Sequence, residues 1–481
     1  MTLRSSAASG VRWTSLSMIC IALMDILRLV ILGRLLSPEI FGIMAMMLVI
    51  IGLGQVFSQM GLVQAVIQRP EPKECELVSL FWLNLCASFF VYILLVVATP
   101  LVISLYDIPV LADMIPIVGL VFLLNPFGDL YRAMLEKKLL FKSLSYAEIG
   151  GALIGVVISV QLALLGFGVW SLIWGQLATT VYRNLSFIWI GKKLFRIKFR
   201  FSIKDLDGYL NFGLHYTGAM VLNFISSRLD QLLIGALLGP QALGYYSMAF
   251  NLVMRPVQQI NPILTRVAFP VLSLVQTDNQ RMKRGYFKMI NILTSVNAPV
   301  LIGVSVVSPL AVPIVLGDEW IPIIPVVQVL SIFSLIRSIG NAGGSMVQAK
   351  GRADVELYWN MLIFCFVPGV VYIAAYYGTL MSVAWALLCL QCMLTFLWYF
   401  FVVRRLLGKC FNDYFLSMFK PILFASAMGM GVIFIGGFIE LEKTFNLLVA
   451  KIALGAVFYF VLYAFFDKEN VKENLNLLFN K

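Results

Sequence analysis

The sequence predicts an all-α integral membrane protein with fourteen transmembrane helices, arranged as two parallel six-helix lobes followed by two further helices. Three observations predict it. Of 481 residues, 60% are hydrophobic and only 12% charged, and the mean hydropathy is +0.92. A soluble chain carries about twice that charged fraction. The apolar runs have bilayer length, and the loops between them alternate between Lys/Arg-rich and Lys/Arg-free. Finally, residues 31–46 (ILGRLLSPEIFGIMAM) align without a gap with residues 233–248 (LIGALLGPQALGYYSM). Gly33/Gly235, Leu35/Leu237, Leu36/Leu238, Pro38/Pro240, Gly42/Gly244 and Met46/Met248 coincide at an offset of 202 residues.

Taken in order, the spans fall at roughly 16–36, 40–60, 77–101, 112–135, 145–165 and 168–190. A second set follows at roughly 209–238, 241–265, 286–312, 322–348, 355–377 and 380–403, then 418–439 and 446–466. The small residues 5–10 precede the first apolar run, whereas a cleavage site would follow it, so the first helix reads as retained. Arg4 and Arg12 lie on the amino-terminal side. Alternate loops then carry Arg69 and Lys73; Lys137, Lys138 and Lys142; a run from Lys192 to Lys204; Arg266 to Lys288; Lys350 and Arg352; Arg404, Arg405 and Lys409. The tail has Lys468, Lys472 and Lys481. The intervening loops hold a single cation, Lys443, beside Glu440 and Glu442. Positive residues stay cytoplasmic, which places both termini inside. The net charge of +12 is thereby explained as topology signal and contact with anionic membrane lipids, not as a nucleic-acid surface.

Six spans separate equivalent points of the repeat, an even number, so the two copies share one orientation and form parallel repeats. The expected organisation is an N-lobe over 1–190, a basic cytoplasmic link over 191–208, a C-lobe over 209–403, and the last two helices with a cytoplasmic tail over 404–481. Parallel lobes suggest alternating access with substrate held between them.

Charges inside the spans are the candidate site. At 1.5 Å per residue, Arg28 lies about 12 Å and Arg228 about 15 Å below the outer ends of their helices. Arg255 and Arg337 lie about 21 and 22 Å down, and Arg132 nearer the cytoplasmic face. Each charge facing lipid would cost about 2.5–3.5 kcal/mol or more, so a solvated cationic cavity is the economical arrangement. Guanidinium groups grip phosphate oxygens bidentately and stay charged, which suits a diphosphate. Gln55, Gln59, Gln258, Gln259, Asn125, Asn261 and Asn341 offer hydrogen bonds to sugars. Asp25 stands three residues before Arg28, either as its neutralising partner or as a titratable coupling group. Asp230 is a second coupling candidate; it lies two residues after Arg228 and points away from it. Asp129 and Arg132 repeat the three-residue spacing, and Arg183 reads as an anchor at the cytoplasmic end of its helix. Arg34 is expected to snorkel to the interface, and His215, the only histidine, to be a satisfied interfacial residue. Gly151/Gly155 and Gly340/Gly344 have the spacing of close helix approach. Pro126, Pro256, Pro262, Pro299 and Pro325 predict bent helices.

GRLLSPEIFGIMAM (33–46), FSQMGLVQAVIQR (57–69), FWLNL (81–85) and LLGFGVWSLIWGQL (164–177) together resemble the polysaccharide-export branch of the MOP superfamily. That branch contains the Wzx-type flippases of lipid-linked oligosaccharides, and the colanic-acid exporters are the subgroup most like this chain. The resemblance implies two V-shaped six-helix lobes around a central cavity. It also implies a bacterial inner-membrane protein that moves undecaprenyl-diphosphate-linked repeat units outward, driven by cation or proton antiport. Polysaccharide polymerase and export machinery would be its partners.

No catalytic residue and no metal site is expected. Cys389 and Cys392 share a span with no histidine nearby, and no disulfide framework is visible among the seven cysteines. No GxxxxGK[ST] loop is present, so no ATP site is expected, and no cofactor beyond a coupling H⁺ or Na⁺. Two rival readings remain. A multidrug antiporter of the same superfamily would have twelve helices and fewer arginines. A membrane polymerase or glycosyltransferase would need a large external loop or an acidic cluster, and the outer loops here are about ten residues or shorter.

Overall fold

The computed structural model describes residues 3–68, 72–194, 197–438 and 445–466. Arg69, Arg196, Lys443 with its two glutamates, and the tail lysines lie outside the described residues, and the side chains of Arg4, His215 and Arg266 lie outside those described. The described chain is helical throughout, with no strand. It clusters into two compact units, Met1–Gly244 and Tyr245–Lys481.

The first unit contains α1 (Leu3–Leu35), α2 (Pro38–Gln59), α3 (Leu62–Gln68), α4 (Glu74–Tyr106), α5 (Leu111–Lys137), α6 (Phe141–Leu164) and α7 (Val169–Gly191). α8 (Tyr209–Leu274) follows and passes into the second unit. That unit adds α9 (Asn279–Val315), α10 (Ile324–Ala349), α11 (Ala353–Tyr376), α12 (Leu380–Trp398), a short α13 (Arg404–Leu407), α14 (Phe411–Phe438) and α15 (Phe445–Phe466). Among the described residues, twelve segments are long and apolar enough to cross a membrane. One of them, Tyr216–Thr265, is 50 residues long and contains Gly239 at φ 82° and ψ 177°. A residue at such a φ is strained unless it is glycine. This break divides α8 into the two expected spans. α7 is a 23-residue helix left out of the twelve, because Gln176, Arg183 and Asn184 dilute its apolar content. All fourteen expected spans are therefore helical. Most helices overrun the expected bounds, since hydropathy sees only the lipid-bathed part. α4, for example, runs from 74 to 106 where 77–101 is the apolar stretch.

Backbone chemistry sets several boundaries. Pro38 opens α2, where a missing N–H costs nothing. Pro325 also lies in the first turn of its helix, not in the interior, so it starts α10 rather than bending it. The Asp278 carboxylate caps α9 by accepting from the N–H groups of Gln280 and Arg281 at 2.9 and 3.1 Å. Those donors hold its carboxyl below the usual carboxylate range.

In the first unit α6 packs on α7 and α1, and α5 on α4 and α7. Leu80, Phe122, Leu135, Ile173 and Phe187 are fully buried there. The Gly151/Gly155 spacing does bring helices together: a Cβ on Gly155 would run into Thr179 and lie 3.0 Å from the Gly175 carbonyl. The repeated motif meets itself. A Cβ on Gly42 would strike the Pro240 carbonyl and lie 3.0 Å from the Gly244 nitrogen; one on Gly244 would strike the Pro38 carbonyl and lie 3.1 Å from the Gly42 nitrogen. These reciprocal contacts are the mark of a local two-fold relation between the copies. The basic link is strapped to the start of α4. Lys198 pairs with Glu74 at 3.0 Å, the Trp82 indole donates to the Lys198 carbonyl at 2.9 Å, and the Ser79 hydroxyl donates to Asp205 at 2.9 Å.

In the second unit α9 packs on α10, α14 and α15. Tyr286, Leu293, Met346, Tyr399 and Tyr414 form its core. Here the Gly340/Gly344 expectation fails: among the described residues nothing lies within 4 Å of a Cβ placed on either one, so no described helix approaches closely.

Candidate functional site

The sequence-predicted residues of the first unit fall into two groups. Arg28, half-buried on α1, donates from Nη2 to the Leu172 carbonyl of α7 at 3.4 Å. Asp25, one turn earlier, forms no hydrogen bond or ion pair among the described residues, so the expected neutralisation of Arg28 by Asp25 is not made. Arg228, exposed on the first arm of α8, donates to the Gln231 side chain at 3.1 Å. Asp230 accepts from the Gln231 N–H at 2.8 Å. Gln55 is half-buried on α2, which runs antiparallel to that arm: Met46 lies against Gly235 and Gly52 against Phe224.

Arg132 belongs to a different environment. Its Nε pairs with Glu136 at 2.9 Å and its Nη2 lies 3.8 Å from Glu148 on α6. Asp129, on the same helix, is 9% exposed and lies within the field of Arg132 and of Arg183 from α7, with Asn84 of α4 beside it. Arg183 in turn interacts with Glu148 as well as Asp129. The Asp129–Arg132 pairing read from sequence spacing is thus one edge of a five-charge network over α5, α6 and α7. Arg183 belongs to this network; it is not a surface anchor. A signal for it was present. Asp129 and Arg183 each stand eight residues from the ends of their helices at Lys137 and Gly191, and Glu148 seven residues from the start of its helix at Phe141. On helices joined by short turns such equal offsets mean equal depth, about 10–12 Å in.

The second unit presents a different surface. On the second arm of α8, Asn251, Gln258 and Gln259 are exposed and Arg255 is half-buried. Their spacing, i, i+4 and i+7/i+8, sets them on one helix face. On α10 the exposed stripe runs through Arg337, Gly340, Asn341 and Gln348. Other exposed stripes in this unit carry large apolar groups, such as Met430 and Phe434 on α14 or Phe460 and Phe465 on α15. Those suit acyl chains; the α8 and α10 stripes suit water and a polar ligand. The two helices are locked together by buried amides. Asn261 donates to the Ser338 carbonyl at 3.1 Å, and Asn297 of α9 donates to Asn261 at 2.8 Å. Ser338 adjoins Arg337, so the lock sets the register of both arginine-bearing faces. Among the described residues neither Arg255 nor Arg337 has a carboxylate partner; the Arg337 guanidinium lies over the Phe333 ring at 5.7 Å. Of the predicted residues, Arg255 and Gln259 on α8 and Arg337 on α10 lie in the second unit, on helices joined by the Asn261–Ser338 hydrogen bond. Arg28, Gln55, Arg228, Arg132, Asp25 and Asp230 all lie in the first.

Residues 31–325 match the family described as "Polysaccharide biosynthesis protein". The chain is 31% identical over 422 residues to the lipopolysaccharide biosynthesis protein WzxC of Escherichia coli K12, covering 88% of this chain and 86% of that protein. It is 29% identical to the teichuronic acid biosynthesis protein TuaB of Bacillus subtilis, covering 94% of each. It is 27% identical to the succinoglycan biosynthesis transport protein ExoT of Rhizobium meliloti, covering 93% and 90%. Among solved structures, the lipid II flippase MurJ in an inward closed conformation superposes with a TM-score of 0.75 at 14% identity, over 95% of this chain and 99% of that one. An inward-facing multidrug MATE transporter of the MOP superfamily superposes at 0.62, also at 14% identity, over 82% and 98%. The chain shares its fold with both of these structures.

Proposed function

The chain belongs to the polysaccharide biosynthesis protein family, and from that premise we propose that it flips lipid-linked oligosaccharides across the bacterial inner membrane for surface polysaccharide export. The lipid is an undecaprenyl diphosphate, the direction outward, the mechanism alternating access, and the chain a transporter rather than an enzyme. Both termini face the cytoplasm, a reading supported by the alternation of Lys and Arg between loops. One observation carries the substrate class: Arg255 and Arg337 sit at bilayer depth, on polar and partly glycine-lined helix faces, with no carboxylate partner among the described residues. Two guanidinium groups maintained there without an acid need an anion. A diphosphate supplies paired oxygens in the geometry the guanidinium fork prefers. The neighbouring Gln258, Gln259 and Asn341 amides supply hydrogen bonds to the adjoining sugar. A coupling ion, H⁺ or Na⁺, drives the cycle.

Deletion of the gene tests this reading. The expected result is loss of one surface polymer together with build-up of its undecaprenyl-diphosphate-linked repeat unit on the cytoplasmic leaflet. A deletion strain with unchanged polymer and no accumulated lipid intermediate overturns it.

A further inference from the structure

We propose that the charge network of α5, α6 and α7 is a single-proton site, with Asp129 as the group that takes up the proton; this rests on the transport reading above. The network holds two guanidinium groups, Arg132 and Arg183, and three carboxylates, Asp129, Glu136 and Glu148. It is therefore one positive charge short of neutrality. Within a bilayer an unbalanced buried charge is costly, and the smallest ion that balances it is a proton.

Burial selects which carboxylate receives it. The Glu136 and Glu148 side chains are 26% and 30% exposed and both face Arg132, whereas Asp129 is 9% exposed. Among the described residues no hydrogen-bonded ion pair joins Asp129 to either arginine, and its Oδ2 has no hydrogen-bond partner. Two buried acceptors beside it also lack donors: Asn84 Oδ1 on α4 and Asn125 Oδ1, one turn back on α5. A carboxylate accepts from the Asn84 amide NH2 but has no hydrogen to give to either Oδ1. A carboxylic acid offers one O–H, and Asn125 lies on the same helix face to accept it. Protonation thus neutralises the network and satisfies a buried acceptor in one step. The groups acting on Asp129 are Arg183 from α7, Arg132 from its own helix and Asn84 from α4; α6 contributes Glu148 through the two arginines. α2 and α3 also pack on α5, and none of their charged residues is among the groups acting on Asp129. The proton passes from water to the more exposed glutamates and then to Asp129.

The test is infrared difference spectroscopy of the purified full-length protein in lipid bilayers, titrated between neutral and acidic pH. The wild type is expected to gain the carbonyl band of one protonated carboxyl group. Asp129→Asn, isosteric and neutral, is expected to lose that band while inserting and melting like the wild type, because it leaves two acids for two arginines. Arg183→Gln leaves one guanidinium for three acids and is expected to double the band. An unchanged band in Asp129→Asn overturns the assignment, and so does a single-proton band in Arg183→Gln. The readout needs no transported lipid. A strain whose polymer output is unaffected by deletion therefore overturns the transport reading alone, and an unchanged band overturns the proton site alone.

Discussion

Arginine appears at bilayer depth in both units, yet its surroundings differ. In the first unit, Arg132 pairs with Glu136 and lies near Glu148, and Arg183 interacts with Asp129 and Glu148. In the second, Arg255 and Arg337 stand on polar helix faces with amides and glycines, and no acid partner among the described residues. A guanidinium in a membrane has two routes to tolerance. It is neutralised internally, as in the first unit, or it keeps access to water and anions, as in the second. The first route ties the charge to structure and to protons. The second leaves it available to a ligand.

The sharpest way to break the comparison is to remove one arginine from each region. Arg255→Ala or Arg337→Ala is expected to abolish surface polymer while the protein inserts and melts normally, since no partner is orphaned. Arg132→Gln strands Glu136 and Glu148, and is expected to lower unfolding stability by about 1–2 kcal/mol, the buried-pair penalty discounted for its 41% exposure. Thermal unfolding of the detergent-solubilised variants beside polymer output in cells separates the two. A melting loss in Arg337→Ala with export retained would invert the assignment.

Much of this was readable without coordinates. The apolar runs placed the helices, and the 202-residue repeat marked the two copies of the motif. The motif's Pro and Gly positions proved to be points where the copies touch through backbone. Spacing along one helix was a poorer guide. Asp25 and Arg28 are well spaced for a pair and do not form one; Asp129 and Arg132 are equally spaced, and the stronger partners of Arg132 are Glu136 and Glu148. Partners from other helices decide the outcome, and these depend on relative rotation, which a one-dimensional pattern does not carry. The Gly340/Gly344 spacing misled for the same reason: GxxxG shows that a face is small, not whether a helix or an open space lies in front of it.

Those glycines sharpen the contrast at lower energy. Gly155→Ala in the first unit pushes a methyl group into Thr179 and the Gly175 backbone, and is expected to cost about 1–3 kcal/mol of stability. Gly340→Ala meets nothing within 4 Å and gains helix propensity, so stability is expected to rise by up to about 1 kcal/mol. Unfolding curves of the pair give the sign directly. A destabilised Gly340→Ala would mean that another surface closes over this stripe.

The smallest effect concerns how tightly the first unit's charges are coupled. Arg132 and Glu148 lie 3.8 Å apart with side chains 41% and 30% exposed, so water screens them appreciably. A double-mutant cycle with Arg132→Gln and Glu148→Gln should return a coupling of about 0.5–1 kcal/mol, lower at high salt. The Arg132–Glu136 pair, at 2.9 Å but one turn apart on an exposed helix edge, should return about 0.3–0.5 kcal/mol. The order matters more than the sizes. If the interhelical coupling exceeds the intrahelical one, the network ties α5 to α6 and acts as one electrostatic unit, as a shared proton requires. If the intrahelical coupling dominates, Arg132 is satisfied within α5, and only Arg183 is left to balance Asp129 and Glu148. The first unit would then hold a local salt bridge beside a separate buried acid, and its contrast with the second unit would rest on Asp129 and Arg183 alone.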